Sequence, residues 1–250
     1  MAKNDEGLPE RVSQQLLRRI ISKEFPPGAV LPSEREIGET YAVSRPVARE
    51  AIKLLAARGI VAVHPRQGAT VGQNLIGAAG EALLLAFHQA DVVREDMLDM
   101  RMVLEPHIAA LAAQHASPTQ LRRLSYLRQL ILSLLQELDT ANSELMHNLW
   151  QQTDQPLHVL LGEMSQNLVF KIFVEIINTI LWPQRQEQIP PMTEEHFRQA
   201  SLQHLALCDA VLANDSAGAS AAMVRHLEYT RDHILSVHQR LYEPIQVFID

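Results

Sequence analysis

Residues 33–68, SEREIGETYAVSRPVAREAIKLLAARGIVAVHPRQG, put two short helices, a tight turn and a basic hairpin into one small unit. Ser33 with Glu36 three residues on is a capping box: the hydroxyl accepts from a backbone N–H of the first turn, and the carboxylate reaches back to the cap N–H. The helix it opens runs to about Tyr41. Ala42 and Val43 make a turn, and Ser44 stands at a second N-cap, opening a helix from Arg45 that ends at Gly59, a residue suited to the left-handed conformation after a helix. Two short helices joined this way form a helix-turn-helix. In the second helix Val47, Ala48, Ala51, Ile52, Leu54 and Leu55 make an apolar face. Arg45 and Arg49 lie four apart on the other side, in the half that a recognition helix turns to the major groove, where a planar guanidinium fits guanine O6 and N7 or a phosphate. The following IVAVHPRQGATV alternates, turns at His64–Gly68 and alternates again, a hairpin with Arg66 at its tip.

In this order the motifs PGAVLPSERE, SRPVAREAIKLLAARGIV and RQGATV resemble the winged-helix domain of the GntR family of bacterial transcription regulators, over about Glu10 to Val71. The resemblance implies contact with double-stranded operator DNA by Arg35, Arg45, Arg49 and the wing residues Arg66, Gln67 and Gly68, with Ser33 and Ser44 near phosphates.

Charge follows the same division. The net charge of −7 is at odds with DNA binding until it is split: residues 1–74 hold 11 Lys+Arg against 8 Asp+Glu, a net of +3, and the remainder 11 against 21, a net of −10. A chain of 250 residues with 47% hydrophobic content buries a large core and suits two domains, 1–74 and 75–250. The single Cys208 excludes an internal disulfide and fits a reducing compartment. No apolar run reaches the roughly 18 residues of a membrane span, and MAKNDEGLPE lacks a signal-peptide core. The expectation is a soluble, cytoplasmic protein.

A first helix over Pro9–Lys23 supports the helix-turn-helix, and Gly72 to Gly80 marks the boundary. Beyond it the sequence reads as helix after helix: about 78–88, 91–116 with Pro106 as a kink, 118–138 launched by Ser117-Pro118, 144–165, 168–186, a helix opened by Thr193 and ending near Asn214, and 217–242. The predicted fold is mainly α: an N-terminal winged helix-turn-helix with a small β-hairpin wing, then an all-α antiparallel bundle of about seven helices.

Asp154 and His158 are four apart on one helix face, a spacing that can chelate a metal but more often makes a surface ion pair. His204 and His226 add a geometric constraint. Each lies 11 residues from Asp215 in the turn between the last two helices, so an antiparallel pair sets both at one height, ~16 Å from the turn and about three turns along. Three helices then deliver one carboxylate and three imidazoles to one place, a donor set suited to zinc, with nickel or manganese as alternatives.

RMVLEPHIAALAAQHAS, DQPLHVLLGEMSQNLVF and HLALCDAVLANDSAGASAAMVRHL resemble the FCD ligand-binding domain of the FadR-like branch of the family, across most of Leu75 to Tyr242. The resemblance implies that Asp154, His158, His204 and His226 hold one divalent metal ion, that Arg101 meets an effector carboxylate unless it pairs with Glu105, and that Asn167 lines the same site. Leu157 and Pro156 depart from the family pattern. The expected protein is a homodimeric, metal-dependent repressor responding to a small organic acid (a sugar acid, hydroxy acid or dicarboxylate), with no membrane partner. The alternatives are a bundle metalloenzyme acting on a carboxylate, against which no general base stands beside the ligands, and a metal-free regulator answering to an acyl thioester.

Overall fold

A computed structural model describes residues 7–65, 67–72, 75–138, 143–188 and 193–237, which form two compact units divided between Ala79 and Gly80. In the first unit α1 (Leu8–Ile21), α2 (Glu34–Tyr41) and α3 (Arg45–Ala57) precede a hairpin of β1 (Val61–His64) and β2 (Gly68–Val71), paired antiparallel from Val61↔Val71 to His64↔Gly68. Segment 28–31 lies on the other edge of β2, with Leu31 N–H donating to Ala69 O at 2.7 Å and Val71 N–H to Ala29 O at 2.8 Å. Val12, Leu16, Ile37, Ala48, Ala51, Leu55, Val61 and Val71 form the core beneath the helices and the hairpin.

Local chemistry sets the boundaries. Both bonds of the Ser33–Glu36 capping box are present, Glu36 N–H to Ser33 Oγ at 3.3 Å and Ser33 N–H to Glu36 Oε2 at 2.8 Å. Ser44 occupies the N-cap of α3 but its side chain makes no capping bond. A cap accepts from the second or third residue of the helix, and Pro46 at the second has no N–H to give. Gly59 follows α3 at φ +67°. Between α2 and α3 the turn runs through Ala42 at φ +53°, and it brings the carbonyl of Val43 to 2.8 Å from where a Cβ on Gly38 would stand.

The second unit continues α4 (Leu75–Gln89) with α5 (Arg94–His115), α6 (Pro118–Glu137), α7 (Ser143–Met164), α8 (Leu168–Gln188), α9 (Glu194–Leu212) and α10 (Ser216–Val237). The glycine-containing stretch expected to separate the domains lies largely inside α4, because Leu75, Ile76, Ala78 and Ala79 outweigh the roughly 1 kcal/mol that each glycine costs a helix. Pro106 and Pro156 sit inside continuous helices, and α7 neither begins nor ends at Pro156. The break at Pro190-Pro191 and the far end of the last helix, to Tyr242, fall outside the described residues. Helix α5 packs along α10 and α7, and α9 along α10 and α6. Ala109 and Ala112 of α5 and Ala219 and Ala222 of α10 are small enough for close approach, around Leu157, Leu161, Met164, Leu207 and Met223.

Replacing Gly38 by Ala would gain up to about 1 kcal/mol of helix propensity at an open site. Here the opposing atom is a backbone carbonyl that cannot swing away, so Gly38→Ala is expected to destabilise the first unit by roughly 1–3 kcal/mol. Thermal melting followed by circular dichroism reads this as a lowered transition, and an unchanged or higher one contradicts the packing.

Candidate functional site

Two surfaces carry the chemistry. On the first unit, Ser33, Arg35, Ser44, Arg45 and Arg49 are all exposed along α2 and α3. Arg49 holds Glu34 in a two-point fork, Nε to Oε1 and Nη2 to Oε2 both at 2.9 Å, which lowers the Glu34 carboxyl below its usual range. Arg35 donates to Glu39 at 2.7 Å. Such exposed pairs are weak and exchangeable. On the hairpin, Gln67 and Gly68 are exposed, and a side chain at Gly68, at φ +90°, would meet nothing within 4 Å. Arg66 lies outside the described residues.

The second surface is internal. Asp154 and His158 come from successive turns of α7, His204 from α9 and His226 from α10. The α9–α10 turn is fixed by Asn214 in the left-handed region at φ +55° and by Asp215, whose Oδ1 accepts from Gly218 N–H at 2.8 Å. With that turn set, the two histidines 11 residues either side of Asp215 meet with Nε2 atoms 3.3 Å apart. Asp154 Oδ1 lies 3.4 Å from His204 Nε2, 3.7 Å from His158 Nε2 and 3.8 Å from His226 Nε2. All four residues are at most 1% exposed.

This group fits a metal ion. Bonds of about 2.0–2.2 Å to four tetrahedral ligands place the ligand atoms ~3.3–3.6 Å apart; the three distances to Asp154 Oδ1 lie within a few tenths of an ångström of that range, and all four ligand atoms lie within 4.8 Å of one another. His158 supplies a second criterion. Its Nδ1 is bonded to Glu105 Oε2, while its buried Nε2, which faces the other ligand atoms, makes no hydrogen bond. An imidazole that ligates through one nitrogen and is held by a carboxylate through the other has this arrangement. Among the described residues, no other group of three or more His, Cys, Asp or Glu side chains converges in this way.

Electrostatics agree with a site built for a cation. Burial pushes the His226 and His204 pKa values down, that of His226 well below the ordinary value, so both present neutral lone pairs. Burial also lowers His158, but Glu105 and Asp154 more than offset it and raise the pKa. Arg101 of α5 is 2% exposed and pairs with Glu105 through Nε to Oε1 and through Nη2 to Oε2 at 3.3 Å. Burial would raise the Glu105 pKa, yet Arg101 and His158 hold it down to about 2. Glu105 thus joins Arg101 to the ligand His158. The sequence marks only its four-residue spacing from Arg101, because nothing in a one-dimensional pattern says which face of α5 meets α7.

Asn167 stands before α8, where its Oδ1 accepts from Val169 N–H at 3.0 Å and Phe170 N–H at 3.4 Å and caps the helix. Of the other histidines, His107 packs edge-on against Phe170 and His196 stacks on both Tyr229 and His233. His115 is exposed and His238 lies outside the described residues.

Residues 8–71 match the gntR family of bacterial regulatory proteins, and residues 96–229 match the FCD domain. The chain is 30% identical over 237 residues to the HTH-type transcriptional regulator Mce2R of Mycobacterium tuberculosis, covering 92% of this chain and 93% of that protein. It is 28% identical to the HTH-type transcriptional repressor NanR of Escherichia coli K12, over 88% and 81%. Among solved structures, Streptococcus agalactiae GntR shares the fold, with a TM-score of 0.65 at 23% identity over 90% of this chain and 99% of that one.

The ligand geometry has a direct consequence for stability. An ion that binds only the folded chain stabilises it by about 2.7 kcal/mol at a hundred times its dissociation constant. Zinc added to chelator-treated protein is therefore expected to raise the melting temperature by several degrees. In His204→Ala/His226→Ala the rise should vanish, whereas an equal rise in both proteins would place the ion elsewhere.

Proposed function

Since the chain belongs to the gntR family of bacterial regulatory proteins and carries an FCD domain, we propose that it is a repressor whose hold on double-stranded operator DNA is set by a small organic acid at a metal centre in its helical unit. The chain is a transcription regulator and not an enzyme: its relatives are regulators, and one of them, NanR, is a repressor by name. The FadR-like branch is the reading within the family that the seven-helix unit supports best.

The observation that carries the effector reading is the placement of Arg101. The guanidinium, buried on α5, is bonded to Glu105, and Glu105 is bonded to His158, so one carboxylate separates the positive group from the four-residue cluster. Asp154, His158, His204 and His226 would hold one divalent ion, zinc in first place on its three nitrogens and one oxygen, with nickel and manganese as the alternatives. When bound, the ion supplies a Lewis-acidic anchor for ligand oxygens. Arg101 does pair with Glu105, through Nε and Nη2, so it would meet the acid's carboxylate through its remaining Nη1, by a charge-assisted bond. Asn167, its oxygen committed to the cap of α8, has only its amide N–H groups to offer. A polar site furnished in this way suits a small polar acid better than a long acyl thioester, whose tail needs an apolar channel.

On the DNA side Arg45 and Arg49 read base edges, Arg35 and the wing residues Arg66, Gln67 and Gly68 contact the groove walls, and Ser33 and Ser44 approach phosphates. Two copies reading paired half-sites make the active species a homodimer, and operator DNA as the partner places it in the cytoplasm. The acid acts by binding one arrangement of the helical units more tightly, so that the two recognition helices lose their match to the operator spacing.

The test uses an operator duplex selected from a random pool and fluorescence anisotropy. Metal-loaded protein is expected to release the duplex when the acid that raises its melting temperature is titrated in, and His204→Ala/His226→Ala to stay bound. Arg45→Ala should weaken binding tenfold or more, in keeping with about 1–3 kcal/mol for a guanidinium on a base. Release of the histidine variant by the same acid, or full affinity in Arg45→Ala together with Arg49→Ala, overturns the respective half of the reading.

A further inference from the structure

Glu105 is buried beside the ligand cluster but is not one of the four ligands, and its carboxylate bridges two helices. It accepts from the Nε and Nη2 of Arg101 on its own helix and from His158 Nδ1 on α7. Among the described residues, Arg101, Glu105 and Asp154 are the three buried Asp, Glu, Lys or Arg side chains, and they are neighbours. Together they carry one positive and two negative charges. A divalent ion on neutral imidazoles brings the interior to a net of one positive charge.

That sum constrains the effector. Uncompensated charge in a buried site costs several kcal/mol, so a ligand that brings one negative charge closes the balance and one that brings two leaves an excess. Without Glu105 the same interior would hold two positive charges and match a dianion. From this arrangement we infer that Glu105 is a specificity-determining residue, which neutralises Arg101 so that the metal-loaded site takes a monocarboxylate, a hydroxy acid or sugar acid, and rejects the corresponding dicarboxylate. The inference rests on the metal and organic-acid reading above and narrows it.

The count also accounts for the order of assembly. Without the ion the site lacks its two positive charges, so acid binding is favoured by the metal. By reciprocity the acid tightens the metal by the same factor. Glu105 contributes to metal binding separately, by holding the His158 ring with Nε2 turned to the other ligands. Loss of such a partner typically weakens a metal 10–100-fold.

The test is calorimetry on zinc-loaded full-length protein with two matched pairs of probes, lactate with malate and gluconate with glucarate, each pair differing by one carboxylate. Zinc occupancy is measured in every sample by elemental analysis. Wild type should bind at least one monocarboxylate tenfold or more tightly than its dicarboxylate partner. In Glu105→Gln, loaded with excess zinc, that ratio should fall at least tenfold or invert. Glu105→Asp, which keeps the charge but shortens the reach, should weaken zinc yet retain the wild-type preference, a pattern that a purely structural role for the residue does not give. Equal affinity for both members of each pair in wild type, or an unchanged ratio in Glu105→Gln, overturns the assignment of Glu105. Binding of none of the four acids at millimolar concentration by protein that holds zinc overturns the organic-acid reading beneath it, and wild type that takes up no zinc overturns the metal reading.

Discussion

The helical unit is organised around the cost of burying a carboxylate and three imidazoles at one point of an apolar core. Each polar group taken from water without a partner costs roughly 1–3 kcal/mol in protein measurements, and here four converge with exposures of at most 1%. The core around them, Leu157, Leu161, Leu207, Cys208 and Met223, has no polar atoms to spare for their ring nitrogens. Much of the rest of the unit can be understood as what brings α7, α9 and α10 close enough for those groups to offset one another: alanines at the α5–α10 contact, the fixed turn at Asn214-Asp215, and Glu105 reaching from α5 to His158. An ion bound there would add a bond to each of the four.

The first unit is held together by different means. Its core is a small apolar set closed by a capping box, a left-handed alanine and a glycine that lets the α2–α3 turn come within contact distance. Its functional face is made of exposed arginines in weak pairs with Glu34 and Glu39, which leaves the forks oriented but exchangeable. The gntR match falls in the net positive segment of the chain and the FCD match in its acidic remainder.

Where the chain could be read one residue at a time, the reading is accurate. Ser33 with Glu36, Ser117 with Pro118, Thr193 and Gly59 mark element ends because capping is a contact between residues at most a few positions apart. The meeting of His204 and His226 was legible for a related reason: a hairpin turn converts equal sequence distance into equal height, and about three full turns on each side let both face the same interior, where their Nε2 atoms lie 3.3 Å apart. What was not legible involves a third element. The bond from Glu105 to His158 depends on how α5 rotates against α7, which many packed side chains decide jointly. Ser44 shows a smaller limit, since a good capping residue beside Pro46 finds no donor at the nearest position. Asn167, matched to a binding role by resemblance, also caps α8, a contact the sequence reading did not mark.

The central claim is that one ion sits among Asp154, His158, His204 and His226 and that the acid joins it there. X-ray absorption at the metal edge of the zinc-loaded protein, with and without the acid that raises its melting temperature, tests this most directly. The account expects three imidazole nitrogens and a carboxylate oxygen at about 2.0–2.2 Å, with oxygen scatterers gained when the acid is added. A sulfur-bearing or imidazole-free shell, or a spectrum indifferent to an acid that demonstrably binds, would contradict it.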